Sequence, residues 1–186
     1  GVEIQAADAL RPETLKAVLA GVDTAYYLVH SMAAGRDFGR LDRQAARNFA
    51  IAAAESGVRR IVYLGGLVPD DAQSEHILSR RDTGEALRQG TVPVTELRAG
   101  IIVGPGSAAF EVMRDLVFHL PVMLTPRWVR AKSPPIALDD LLFYLAALPA
   151  VENAAGKMYD AAGPEVLSYE SMMRELADVA GRRSPL

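Results

Sequence analysis

His76 and Arg80 stand four residues apart in the segment His76-Ile77-Leu78-Ser79-Arg80-Arg81-Asp82-Thr83-Gly84-Glu85, a spacing that sets two side chains on one face of a helix. An imidazole placed there can exchange a proton near neutral pH, and a guanidinium that never loses its charge can hold a ribose or a phosphate beside it. The same residues also read as an exposed polar helix start, with Asp82 and Glu85 balancing Arg80 and Arg81, and both readings stay open. Two further groupings bear on a substrate. Pro105-Gly106-Ser107 opens a helix whose amino-terminal dipole attracts an anionic group at Ser107, unless the serine only caps the helix. Arg127, Arg130 and Lys132 put three cations in six residues around Trp128, which suits an anion and a ring and equally suits a solvated loop.

The residue inventory removes other chemistries. There is no cysteine, which excludes disulfides, thiolate catalysis and the usual zinc sites, and His30, His76 and His119 are scattered rather than set at ligand spacing. No metal site is expected. Half of the residues are hydrophobic, 23% are charged and the formal net charge is -3, so no nucleic-acid partner is expected. No apolar run is long enough to span a bilayer. The first residues, Gly1-Val2-Glu3-Ile4-Gln5, lack the basic-then-apolar order of a signal peptide. These features predict a soluble cytoplasmic protein, and 186 residues suffice for one domain with a real core.

The elements that position these side chains follow from periodicity. Val2–Ala6 has the alternation of a half-buried strand, and Pro12 starts a helix that stops at Gly21. Ala25–Val29 is a continuous apolar run, the pattern of a parallel strand covered on both faces. Leu41, Ala45, Phe49, Ala52 and Ala53 recur at helical spacing up to Gly57, with alanines small enough for close approach to a sheet. Arg60–Leu64 is predicted as strand, about Ser79 to Gln89 as helix, and Val94–Arg98 as strand leading into Ile101-Ile102-Val103. Strands alternating with helices at this spacing argue for right-handed crossovers and a parallel sheet. Phe110, Met113, Val117 and Leu120 mark an amphipathic helix, before a proline-punctuated stretch from Pro121 to Pro135. Leu138, Leu141, Leu142 and Leu145 mark another helix, Lys157–Asp160 a short strand, and Met172, Met173, Leu176 and Val179 a last helix. Met113, Met172, Met173 and Phe110, at helical spacing, are expected in the core. No solenoid repeat or low-complexity linker is present.

Several segments, in order, resemble the extended and atypical short-chain dehydrogenase/reductases, especially the NmrA-like and complex I 39-kDa-subunit-like branch. They are Gln5-Ala6-Ala7-Asp8, Gly21-Val22-Asp23, Tyr27-Leu28-Val29-His30, Gly57–Gly66, Leu97–Gly106, Pro135–Asp140 and Tyr159–Glu165. The resemblance implies an α/β fold, a Rossmann-like doubly wound parallel sheet with helices on both faces and a small C-terminal substrate-side extension. It is read as a single domain, with core units over 1–104 and the extension and C-terminal helices over 105–186. The family's first glycine-rich turn, which holds a pyrophosphate at a helix amino terminus, has no counterpart: Gly100, Gly104 and Gly106 follow a late strand. The chain begins where the third strand should, as a fragment of a longer protein would.

The resemblance also implies a cofactor, NAD or NADP, with the choice left open because the ribose-reading residues fall in the absent second strand. Asp8 and Ala9 would meet the adenine, with turn capping by Asp8 as the alternative. The backbone of Val29, His30 and Ser31 would lie along the adenosine ribose and pyrophosphate. Gly65 and Gly66 would let the nicotinamide ribose approach, and Ala99, Gly100, Ile101 and Ile102 would form the loop at the carboxamide. Arg127 and Lys132 would help bind a diphosphate. The family's catalytic serine, tyrosine and lysine are replaced by Gly65 or Gly66, His76 and Arg80. Two functions therefore stand side by side: an oxidoreductase or epimerase acting on a small or nucleotide-linked substrate with His76 in place of the phenol, and a dinucleotide-binding redox sensor or assembly module without turnover, as a homo-oligomer or on a protein partner.

Overall fold

The computed structural model describes residues 1–30, 37–69, 72, 74–120 and 127–182. The helices are α1 Pro12–Leu19, α2 Phe38–Glu55, α3 Glu75–Arg88, α4 Ala108–His119, α5 Leu138–Ala147 and α6 Tyr169–Val179. The strands are β1 Thr24–Tyr27, β2 Arg60–Gly66, β3 Val94–Ala99, β4 Ile101–Val103, β5 Lys132–Ser133, β6 Pro135–Ala137, β7 Met158–Ala161 and β8 Leu167–Ser168. They form two compact units, one of Gly1–Arg98 with Leu145–Asp160, the other of Ala99–Tyr144 with Ala161–Leu186. Among the described residues, no helix is long and apolar enough to cross a membrane and no cluster of His, Asp and Glu could hold a metal ion.

The first unit carries the main sheet, in the order β1-β2-β3-β7. β1 and β2 run parallel, from Thr24 opposite Arg60 to Tyr27 opposite Tyr63. Alternation sends Ala25, Tyr27, Ile61, Tyr63 and Val94 to one core, where they pack with Leu15 and Leu19 of α1, the alanines and Phe49 of α2, and Ala86 and Leu87 of α3. The alanines do what their size suggests: a side chain on Gly90 would come within 2.9 Å of Ala50 Cβ, so α2 leaves no room there. α1 and α2 both run out into glycines in the left-handed region, Gly21 at φ +74° and Gly57 at φ +77°, where a side chain would be strained. Two short 3₁₀ turns, Leu148–Ala150 and Glu152–Ala154, are tied to the strands by polar side chains. Thr95 donates to the Ala154 carbonyl at 2.8 Å, and Arg60 Nη1 donates to the carbonyls of Leu148, Pro149 and Val151.

In the second unit β4 pairs in parallel with β6, and β5 pairs antiparallel with β8. Its core is Ile101, Met113, Val117, Val129, Met172, Met173 and Ala177, so Met113, Met172 and Met173 are core residues as read from their spacing, while Phe110 is only partly buried.

The α/β alternation is as expected, and four particulars differ. Val2–Ala6 is not a strand: Val2 and Ile4 are 95% and 93% exposed, and alternation without a partner strand to complete the ladder leaves the backbone irregular. β1 ends at Tyr27, and its pattern is one-sided, with Tyr26 outward and its hydroxyl donating to the Leu145 carbonyl at 2.8 Å. α3 starts at Glu75, earlier than apolar spacing indicates, since an acidic side chain in the first turn favours the helix start. β3 does not run on through Ile101. The chain breaks at Gly100, and the next three residues pair with β6 instead of the main sheet.

Candidate functional site

In the first unit, the carboxyl ends of β1 and β2 meet the start of α2 and the first half of α3, and buried polar groups gather there. Tyr27 and Tyr63 are opposite each other in the parallel register, their rings 6.1 Å apart, with Phe49 4.9 Å from Tyr27. The Tyr63 hydroxyl donates to the Arg80 carbonyl at 2.9 Å. Ser79, one position earlier on α3, donates to Asp42 Oδ2 of α2 at 2.9 Å, and both residues are buried. The buried hydroxyls of Tyr27 and Thr83 make no hydrogen bond among the described residues, a polarity that costs stability where it is left unpaired. Burial pushes both phenols above their ordinary range. The Asp42 charge adds to this at Tyr27, and the Arg80 charge opposes it at Tyr63. Both therefore stay protonated at neutral pH, as hydrogen-bond donors and not as bases.

Arg80 is the cation of this group. Arg80 is half-buried, and its guanidinium has neither ion pair nor hydrogen bond among the described residues. Four other arginines on α2 and α3 do: Arg40 pairs with Asp37, Arg43 and Arg81 pair with Asp82, and Arg88 pairs with Glu96. Burial first, and then the Arg80 charge, hold His30 below its ordinary range, while Asp42 pulls the other way. His30 is thus neutral at pH 7. His76 is exposed, and its ring stacks on Phe38 of α2 with centroids 4.5 Å apart and planes 13° from parallel. The pair that helical spacing sets on one face is split in its surroundings. Arg80 looks into the polar group, and His76 rests on an aromatic ring at the surface.

Gly65 is flexible backbone only in name. A side chain there would meet Glu96 Oε1 at 2.6 Å, and one on Gly84 would meet Glu96 Oε2 at 2.7 Å. The space both glycines leave is taken by the buried Glu96 carboxylate, which Arg88 pairs. Burial pushes the Glu96 carboxyl up, and the Arg88 charge pulls it back. Gly66, the next residue along, faces the other way in the strand's alternation. The position at which the sequence resemblance puts a serine is therefore shaped on one side by a buried carboxylate.

The remaining residues singled out from the sequence lie as follows. Asp8 Oδ1 accepts from the Leu10 amide at 2.9 Å, closing its own turn ahead of α1, and the Ala9 carbonyl accepts from Asn48 at 2.9 Å. Val29 is exposed at the end of β1, and Ser31 lies outside the described residues, as does the side chain of Arg127. In the second unit, Ala99 through Ile102 form no loop. Ala99 ends β3, and Ile101 and Ile102 belong to β4, because the backbone of this stretch is drawn into strand pairing and into a bond from the Gly100 amide to the Ala161 carbonyl. The Ser107 hydroxyl donates to the Ile102 carbonyl at 2.6 Å and makes no cap to α4. The amide of Gly106, which begins that turn, donates to Glu111 Oε1 at 3.1 Å, so the chain supplies its own anion there. Lys132 is exposed on β5, and Trp128 packs edge-on against Tyr169 at 5.4 Å.

Asp42, Ser79, Tyr63 and Glu96 were not legible as site residues. One signal was present for Glu96, a carboxylate inside an apolar strand with a glycine interrupting the facing helix. Asp42 and Ser79, 37 residues apart, carried none.

No family model matches the chain. It is similar to a (4-alkanoyl-5-oxo-2,5-dihydrofuran-3-yl)methyl phosphate reductase of Streptomyces griseus subsp. griseus, 29% identical over 142 residues that make up 72% of this chain and 46% of the reductase. The chain thus spans about half the length of that relative. Among solved structures it is similar to the dTDP-glucose 4,6-dehydratase of Streptomyces venezuelae with NAD bound, at 18% identity and a TM-score of 0.79 over 95% of this chain and 63% of that one. It is also similar to the triphenylmethane reductase of Citrobacter sp. complexed with NADP(H), at 20% identity and a TM-score of 0.75 over 98% and 61%. An epimerase of Methanothermobacter thermautotrophicus matches at 14% identity, with a TM-score of 0.79 over 96% and 63%. These likenesses establish a Rossmann-like fold.

Proposed function

We propose that this chain belongs to an NAD(P)-dependent oxidoreductase of the atypical short-chain dehydrogenase type, acting on a small carbonyl or nucleotide-linked substrate. The observation that carries the reading is Arg80: a half-buried residue whose charge is felt at His30 and Tyr63, by the ends of β1 and β2, and which has no anion of its own among the described residues. In a Rossmann-like fold, ligands lie outside the carboxyl ends of the strands, and a charge held there against the cost of burial is suited to a phosphate or ribose. The exposed backbone after β1 and the half-exposed Gly66 at the end of β2 offer close approach beside it. These residues fit one flank of a dinucleotide. No glycine-rich turn among the 186 residues fits the pyrophosphate, so binding is proposed for the whole protein. A nicotinamide cofactor supplies hydride when bound. The roles left to this chain are Arg80 holding negative charge, Ser79 and Tyr63 fixing the turn of α3 that carries it, and His76 exchanging the proton.

A second reading, binding without turnover, is favoured by the surroundings of His76, whose ring is stacked on Phe38 with no acid or hydroxyl hydrogen-bonded to it among the described residues. The two separate in one experiment. The whole protein is assayed for oxidation of NADH and NADPH with quinones and small carbonyls, beside His76→Ala and Arg80→Gln. Turnover that falls at least tenfold in His76→Ala with KM for the cofactor unchanged supports the enzyme. Cofactor binding without turnover supports the sensor or assembly module, and absence of both sinks the cofactor assignment.

A further inference from the structure

We propose that the first unit has a second ligand site, a pocket that takes the phosphate dianion of a small ligand. A cavity of about 280 Å³ opens beside α3, lined by the side chains of Arg81, Arg88, Arg98 and Glu96. Arg81 and Arg88 are seven residues apart, two helical turns, and so share a face of α3. Glu96 and Arg98 are two apart on β3 and share a face of the strand. Val68, Pro69 and Met158 supply an apolar wall. Its size lies just below the usual range for drug-sized ligands, roughly 300–1,000 Å³, which selects a small molecule.

Charge decides which kind. Three arginines and one glutamate line the cavity, and the other acids that pair these arginines, Asp160, Asp82 and Glu85, are not among its lining residues, so the lining favours a doubly charged anion. That carboxylate is not free to swing out: Glu96 is buried, wedged against Gly65 and Gly84, and paired with Arg88. It holds the Arg88 guanidinium in place and uses only its Nη1. Arg98 gives its Nε to Asp160 at 2.7 Å, and the longer contacts of Arg81 to Asp82 and Glu85 are between partly exposed side chains, which water screens. Each guanidinium carries five N–H donors, so most remain for a ligand. Planar forks on several arginines match phosphate oxygens two at a time, which a monovalent carboxylate uses less fully. Neither His30 nor Arg80 lines this cavity, and the assignment does not rest on the dinucleotide reading.

The phosphate could arrive on an organic ligand, its tail against Val68, Pro69 and Met158, or as free phosphate. Calorimetric titration at fixed ionic strength with n-butyl phosphate and with inorganic phosphate separates the two. Tighter binding of the ester identifies an organic ligand, and equal binding identifies phosphate alone. In either arm, Arg98→Gln and Arg81→Gln are expected to weaken binding about tenfold each, the size of one charge-assisted hydrogen bond. Arg98→Lys, which keeps the charge and loses the fork, recovers part of it. Arg174→Gln, at an exposed pair with Glu170 elsewhere, leaves it unchanged. Arg88 is left intact, since its loss would strand Glu96, and circular dichroism checks that each variant is folded. Absence of binding by either phosphate at millimolar concentration overturns the proposal, as does affinity unchanged in both glutamine variants or displacement of bound phosphate by NADPH.

Discussion

The two units bury different things. Among the described residues, every buried polar or charged side chain, namely Asp42, Asn48, Ser79, Thr83, Thr95 and Glu96, lies in the first unit, while the core of the second is aliphatic, alanine and methionine. Polar burial costs free energy unless each group finds a partner. Four of the six, Asp42, Ser79, Thr83 and Glu96, lie on α3 or against it, beside the residues proposed above to bind a cofactor. In the second unit two of the groups that could have met an anion are spent locally, Ser107 on the Ile102 carbonyl and the Gly106 amide on Glu111.

The contrast can be broken from either side. The largest effect is expected where packing alone acts: Met173→Ala, at a fully buried position of the second unit, should cost about 2–5 kcal/mol in denaturant unfolding. A cost below about 1 kcal/mol would mean that this core is loosely packed. Next, Gly65→Ser restores the hydroxyl type that the family resemblance puts at the end of β2, and drives its Cβ into Glu96. It should destabilise by about 1–3 kcal/mol, and most of that should vanish when Glu96→Ala is the background, because the clash partner is gone. Equal costs in both backgrounds would show that Glu96 does not occupy that space. Ser79→Ala removes a donor from buried Asp42 and should cost about 1–2 kcal/mol, with a matching loss of affinity wherever α3 must hold Arg80 in place.

The smallest effect concerns pH. The folded-state pKa of His30 lies below its ordinary value of 6.5, chiefly through burial. The unfolded chain therefore takes up the proton first as pH falls, and stability is lost between that value and the lower folded one, to be regained as pH rises. Unfolding measured at pH 7.5 and 5.5 should show a larger difference in the wild type than in His30→Gln. An equal difference would place the titration on another group.

Much of this fold is legible in the sequence because periodicity reports burial. The alternation of strand and helix, the stops at Gly21 and Gly57, and the methionine core all follow from local pattern. What escapes is set by partners distant in sequence. Val2 and Ile4 alternate as a strand residue should, but a strand exists only with a neighbour to bond. Ile101–Val103 continue β3 in pattern and leave it in space, because Pro135–Ala137 offer a second ladder. At the site, spacing pairs Arg80 with His76 on one face of α3, on grounds that ignore the Phe38 ring against which His76 stacks. The bond between Ser79 and Asp42 and the fit of Glu96 against Gly65 and Gly84 join separate elements, and local pattern is blind to both.

The most direct test is a fluorescence titration of NADH and NADPH into the whole protein, wild type beside Arg80→Gln. The proposed role of Arg80 predicts that at least one reduced nucleotide binds and that the variant weakens it about tenfold or more, as loss of one charge-assisted hydrogen bond should. Binding of neither nucleotide, or equal binding by both proteins, would contradict it.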